Sequence, residues 1–163
     1  MPMNSRTSGG YTLLEAMIAV VIISVGLIGF LRLELLGMSA TTTSTQRSKA
    51  VYLAYEMADR MRANLAGYAA SAYSNLTSTP VNPGCVSTSC TSAQIAQNDY
   101  YEWSNEVSTL LQQGAAAVCL TSTILATATP AAPGCDGLGS RYAVMIWWTE
   151  DGKQQKLVSN FQP

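Results

Sequence analysis

Hydrophobic and polar positions divide the chain into unequal parts. The first ten residues, Met1 to Gly10, are mostly small and polar. Tyr11-Thr12-Leu13-Leu14-Glu15 then opens a run from Ala16 to Leu31 that holds no charge, and charges resume at Arg32 and Glu34. As a helix from Tyr11 to about Leu36, this run is roughly 39 Å long at about 1.5 Å per residue. That exceeds the ~30 Å apolar thickness of a bilayer, so it can span one with some tilt. Glu15 is the anomaly. A carboxylate in a span costs about 2.5–3.5 kcal/mol at the bilayer centre and less near its edge, so a chain that keeps one has a use for it. Gly26 and Gly29 each weaken a helix interior by roughly 1 kcal/mol relative to alanine. They suit either a close helix–helix contact or a site of local melting in a packed assembly.

Ser39 to Thr45 is polar and threonine-rich, but helical periodicity returns at once. Val51, Ala54, Ala58, Met61 and Leu65 form one apolar stripe, widened by Leu53 and Met57. Glu56 with Arg60 and Asp59 with Arg62 fall at helical pair spacings and read as a solvated face. One helix from Tyr11 to Leu65 is roughly 80 Å long. A small domain cannot bury such a rod, so its first half is expected in a membrane or among neighbouring subunits. Gly67 to Ser92 reads as a long loop, with Pro80 and Pro83-Gly84 as breakers. Ala93 to Gln113 reads as a second helix, with Ser92 as N-cap, Trp103, Val107, Leu110 and Leu111 as apolar face, and Gly114 at C′.

Strand patterns follow. Ala115 to Leu120 is one and Thr123 to Thr129 a weaker candidate, before a turn-rich loop from Pro130 to Ser140. Arg141 to Thr149 alternates most clearly, with Tyr142, Val144, Ile146 and Trp148 on one face and Ala143, Met145 and Trp147 on the other. Asp151-Gly152 is a hairpin turn, and Gln155 to Phe161 returns. The fold class is α+β: a small antiparallel sheet laid against the stripe of the long helix, with a second helix.

Composition narrows the chemistry. The chain has 163 residues and a net charge of −1, and no Lys or Arg lies between Arg62 and Arg141. A basic nucleic-acid groove is not expected. The absence of histidine excludes Ser-His and Cys-His catalysis and imidazole zinc sites. Asp99, Glu102 and Glu106 share one helical side, but without a conjugate base they read as solvated. No cofactor and no metal is expected, and the chain does not read as an enzyme. Of Trp147 and Trp148 one is expected to leave the core, to be covered by a cysteine loop or exposed to a partner. Cys85, Cys90, Cys119 and Cys135 lack the two short knuckles of a four-cysteine zinc site. Outside the cytoplasm they read as disulfides. Of three connectivities, Cys85–Cys90 and Cys119–Cys135 is favoured because pairing close in sequence is entropically easy.

The first 30 residues also carry a resemblance. A short leader ending in Gly10, then Tyr11-Thr12-Leu13-Leu14-Glu15 and an apolar run, resembles the type IV prepilin motif with its class III leader. The resemblance implies cleavage between Gly10 and Tyr11 by a prepilin peptidase and N-methylation of Tyr11. Glu15 then becomes the fifth mature residue, the family's assembly glutamate, which meets the N-terminal amine of a neighbour or of its own chain. Two departures stand out: Tyr replaces the usual first Phe, and Arg6 is the leader's one cation. The stretch Leu53 to Asn64, and the second helix followed by Cys119, resemble PilV-type minor pilins. The implied organisation is a leader (1–10), a transmembrane and assembly helix (11–36), an amphipathic helix half (37–66) and a periplasmic globular region (67–163). The implied role is a minor pilin that primes pilus assembly and joins the tip. Its implied partners are other minor pilins, the major pilin and the inner-membrane assembly machinery. The implied location is the inner membrane, single-pass, before incorporation into the pilus. The rivals are a type II secretion pseudopilin, a tip adhesin and a membrane-anchored hydrolase. An ordinary signal peptide fits poorly, since Gly37-Met38-Ser39-Ala40 is a weak cleavage site and Glu15 has no place in one.

Overall fold

Helix α1 (Tyr11–Ala63) accounts for 53 residues of the chain. The computed structural model describes residues 11–77, 80–123 and 126–162, apart from the side chains of Tyr11 and Thr12. The leader, with Gly10, lies outside the described residues. The chain divides into two compact units, Met1–Thr43 and Ser44–Pro163.

In the first unit every large apolar side chain from Leu13 to Met38 is exposed. The helix is long and apolar enough to cross a membrane. It persists through the threonine-rich stretch because hydroxyls there are satisfied within the helix. Thr41 and Thr42 donate to the Gly37 and Met38 carbonyls at 2.9 and 3.0 Å, as Ser24 does to Val20 at 2.7 Å. Gly26 and Gly29 have open space around them.

The second unit packs the end of α1, α2 (Leu65–Ala69) and α3 (Ser92–Leu110) on one face of a four-stranded sheet. The sheet holds β1 (Asn75–Leu76), β2 (Ala115–Thr121), β3 (Arg141–Glu150) and β4 (Lys153–Phe161), in that order and antiparallel throughout. The apolar stripe of α1 is Ala50, Leu53, Ala54, Met57, Ala58 and Met61, all buried. Val51 and Leu65, expected on it, are exposed. The i, i+3, i+4 pattern fits two neighbouring phases, and the phase holding the bulkier Leu53 and Met57 wins because it buries more apolar area.

The stripe meets Trp103, Val107 and Leu111, and the β3 side chains Tyr142, Val144, Ile146 and Trp148. Leu110 is exposed instead. The opposite sheet face carries Ala117, Cys119, Ala143, Met145 and Trp147, under Ala128 and Cys135. Both tryptophans are therefore buried. The Cys135 loop covers Trp147, whose Nε1–H donates to the Ala128 carbonyl at 3.3 Å. Asp151 and Gly152, at φ 48° and 73°, form the two-residue left-handed turn of the β3–β4 hairpin.

Several boundaries differ from expectation. The long helix stops at Ala63 because Asn64 leaves helical geometry and caps α2, accepting from the Gly67 N–H. The stretch from Gly67 to Ser92 holds the end of α2 and strand β1 as well as loop. The N-cap of α3 is Thr91, not Ser92: it forms a capping box with Gln94, one residue earlier in phase. Gly114 is not at C′, since the helix ends at Leu110. It is glycine for another reason: a Cβ there would stand 2.1 Å from the Val107 carbonyl oxygen. Residues 123 and 126–129 form turn and irregular structure, not a strand. The small alanines and threonines there cannot join β2, which is already paired on both sides by β1 and β3.

Candidate functional site

The residues that sequence reading singled out lie in separate places. Gly10 lies outside the described residues. Tyr11 is the first residue of α1, and Glu15 stands one turn further on, with its side chain exposed. On an α-helix, positions i and i+4 lie on one face, about 6 Å apart along the axis. A carboxylate so close to a helix N-terminus also opposes the positive end of the helix dipole. Beside Glu15 and beyond it the described surface is apolar: shallow grooves run along Leu13, Met17 and Val21 and along Leu14, Ile18 and Ile22. What the arrangement can do chemically is hold one negative charge in an otherwise apolar surface, at a fixed distance from the helix start.

The four cysteines form two bridges within the second unit. Cys85 bonds to Cys90 and Cys119 to Cys135, with Cα–Cα distances of 5.5 and 5.9 Å. The first staples the 80–91 loop. The second ties β2 to the loop that covers Trp147.

The acidic residues of α3 do not form a solvated face. Arg60 lies between α1 and α3, donating to Glu56 Oε1 at 2.8 Å and Glu102 Oε2 at 2.8 Å, with Glu106 at 3.7 Å. Burial works against the Arg60 charge, but its hydrogen bonds to Glu102 and Glu56 outweigh that and raise its pKa. Asp99 accepts from the Tyr73 hydroxyl at 2.5 Å, and Tyr73 in turn accepts from Asn64 Nδ2 at 3.1 Å. Burial pushes the Asp99 carboxyl upward, against the pull of Tyr73. Asn64 and Arg60 thus dock α3, a role that helical spacing within one element cannot reveal. Only the unlike charges on the two predicted helices hinted at it.

Arg60→Met leaves Glu56, Glu102 and Glu106 facing one another. The expected loss is about 1–3 kcal/mol at neutral pH, measured by urea unfolding in detergent. The guanidinium, followed by Asn98, holds the Glu102 pKa low. That stabilisation is present above the ordinary glutamate pKa and fades as pH falls through the lowered one. Glu106 is pushed up, by burial first and then by Glu56. Its charge is thus an added strain at neutral pH that protonation relieves. The gap between wild type and variant should therefore close as pH falls below the ordinary glutamate range. A gap independent of pH would mean that Arg60 acts through packing alone.

Among the described residues no group of three or more Asp, Glu or Cys could hold a metal ion. Comparison with known families gives two matches. Residues 5–31 match the prokaryotic N-terminal methylation motif. Residues 33–101 match the family described as type IV pilin Tt1218. No curated protein and no solved structure matches the chain.

Proposed function

We propose, from the premise that this chain is a type IV pilin, that it is a minor pilin of the PilV type which primes pilus assembly within a complex of minor pilins. The premise also makes it a structural subunit and not an enzyme, with a leader that a prepilin peptidase removes and a membrane anchor that precedes assembly. The observation that carries the assembly reading is the lone carboxylate, Glu15, one turn into an exposed apolar helix that starts at Tyr11; the PilV-type reading is supported by the resemblance of Leu53 to Asn64 and of the second helix followed by Cys119. A chain cut after Gly10 presents a methylated, cationic amine at Tyr11. In a bundle of such helices both charges are buried, and burial is tolerable only when they pair. That pairing sets register as the subunit joins other minor pilins and the major pilin. The second unit then lies in the periplasm until incorporation at the pilus tip.

Intact mass spectrometry of membrane-extracted protein should show a chain starting at N-methylated Tyr11, and Gly10→Val should leave the precursor uncut. Deleting the chain should lower the number of pili per cell. A mature N-terminus near Thr41 would remove the pilin reading. Normal pili with a failed secretion phenotype would move the chain to a type II secretion system.

A further inference from the structure

Helix α1 is apolar at its start and packed at its end, and residues 37–45 are neither. Before them, Ala16 to Leu31 carries no charge. After them the helix is fastened at once. Arg47 reaches Glu150 at 3.4 Å, Lys49 Nζ donates to the Leu110 carbonyl at 3.5 Å, and Ala50, Leu53 and Met57 are buried. In between, every residue is exposed except the half-buried Thr43. The boundary of the two compact units falls inside this stretch, between Thr43 and Ser44. Little packing therefore holds the helix there, and its local stability rests on its own residues.

Those residues form helix poorly. Glycine, serine and threonine fill seven of the nine positions, with Met38 and Ala40 the exceptions. Hydroxyl bonding adds to the weakness. Thr41 and Thr42 donate to the Gly37 and Met38 carbonyls, and Ser48 donates to Ser44 at 2.9 Å. A carbonyl shared in this way with the helical N–H holds that N–H less tightly, and the helix bends. Gly26 and Gly29 are weak points too, but they lie in the apolar run, where a freed carbonyl has no water to turn to in a bilayer. Along residues 37–45 water can take up a carbonyl that tilts out of the helix.

We infer that residues 37–45 are a flexing joint built into α1, which bends as the subunit passes from the bilayer into an assembly. Bending confined to these few polar residues spares both the apolar run and the packed end of the helix. The use of the joint in assembly rests on the pilin reading; the bending itself does not.

Spin labels on Leu33→Cys and Tyr55→Cys, both exposed positions, measure the bend in the full chain in lipid nanodiscs. The native cysteines are bridged, so labels attach only to the new ones. A straight helix sets these two backbone positions about 33 Å apart. The otherwise native chain should give a broad distance distribution reaching several ångströms below that value. Gly37→Ala combined with Thr41→Ala, Thr42→Ala, Thr43→Ala, Ser44→Ala and Thr45→Ala should narrow it to the straight-helix distance. A Cβ at Gly37 meets nothing within 4 Å, so that change tests the helix and not a clash. Amides of residues 38–45 should exchange hydrogen about tenfold or more faster than those of residues 50–61, and about tenfold more slowly in the multiple-alanine variant. Gly37→Ala alone, the milder change if the multiple variant does not fold, should slow them roughly fivefold. At equal expression the stiffened chain should still be inserted and cut, and pili per cell should fall at least twofold. A narrow native distribution at the straight-helix distance, or exchange that the alanines leave unchanged, overturns the joint and leaves the pilin reading standing. A helix that stiffens while pili stay at full number overturns the use of the joint in assembly. A mature chain starting near Thr41 is the failure of the pilin reading, seen by mass before any label is attached, and removes the joint with it.

Discussion

Trp103→Ala is expected to lower the stability of the second unit by about 3–5 kcal/mol, the range for emptying a buried aromatic site. Trp103 is fully buried between α1 and the sheet, in one cluster with Leu53, Met57 and Ile146. Its Nε1–H donates to the Leu53 carbonyl at 2.8 Å, across 50 residues of sequence. The ring thus contributes both volume and a specific tie between α3 and α1. Tyr100, with its ring centroid 6.2 Å away, cannot move in to fill the space, because its hydroxyl is held on the Ala116 carbonyl at 3.0 Å. Urea unfolding of the full chain in detergent, followed by circular dichroism, measures the loss. Trp103→Phe, which keeps most of the ring and drops the donor, should lose less. A loss below about 1 kcal/mol for the alanine variant would mean that α3 is not fastened through this residue.

Glu15→Ala is the second large effect, and it falls on assembly instead of stability. Ala16 to Leu31 is apolar enough to hold a membrane without help, so removing the carboxylate makes insertion slightly easier. Cleavage at Gly10 should continue. What changes is the fate of the Tyr11 amine once helices pack together. Left without its partner it is a stranded charge, a cost of about 3–5 kcal/mol, or roughly a hundredfold or more in association. Co-purification of other minor pilins at equal expression, with pili counted on the same cells, measures it. Glu15→Gln should fail in the same way, because it keeps size and polarity but not charge. Unchanged recovery and unchanged pili would show that Glu15 is a tolerated polar residue. Loss of the variant from the membrane would place the carboxylate at an earlier step.

Local pattern made the elements legible, and contact between elements was what it hid. The Arg141 to Thr149 alternation placed Trp148 and Trp147 on opposite faces, as they are. It could not say that a loop with Ala128 and Cys135 would cover the second face, because nothing in a strand's own residues reports what lies above it. The stripe on α1 was read correctly at Leu53, Ala54, Met57, Ala58 and Met61 but too wide at Val51 and Leu65, since the small Ala50 carries little weight in fixing where the stripe's margin runs. Thr91 and Ser92 are both good caps, and only Gln94, three residues beyond Thr91, distinguishes them. Arg60 is the clearest case. Its i, i+4 neighbour Glu56 is visible in the sequence, whereas Glu102 is 42 residues away and becomes its partner only when α3 docks. The proposed assembly carboxylate lay at the other extreme. Glu15 could be singled out because one charge in an apolar run is conspicuous without any tertiary knowledge.

The two disulfides are nested within short stretches of chain, five and sixteen residues apart, and neither crosses the other. In the proposed topology, a subunit exported behind its N-terminal anchor delivers its residues to the oxidising side in sequence order. Cys85 and Cys90 emerge together and can close before Cys119 arrives; Cys119 and Cys135 then find each other with no competing thiol left. Consecutive pairing of this kind leaves no wrong bridge to reshuffle, so in that topology the slow exchange steps of disulfide isomerisation are avoided.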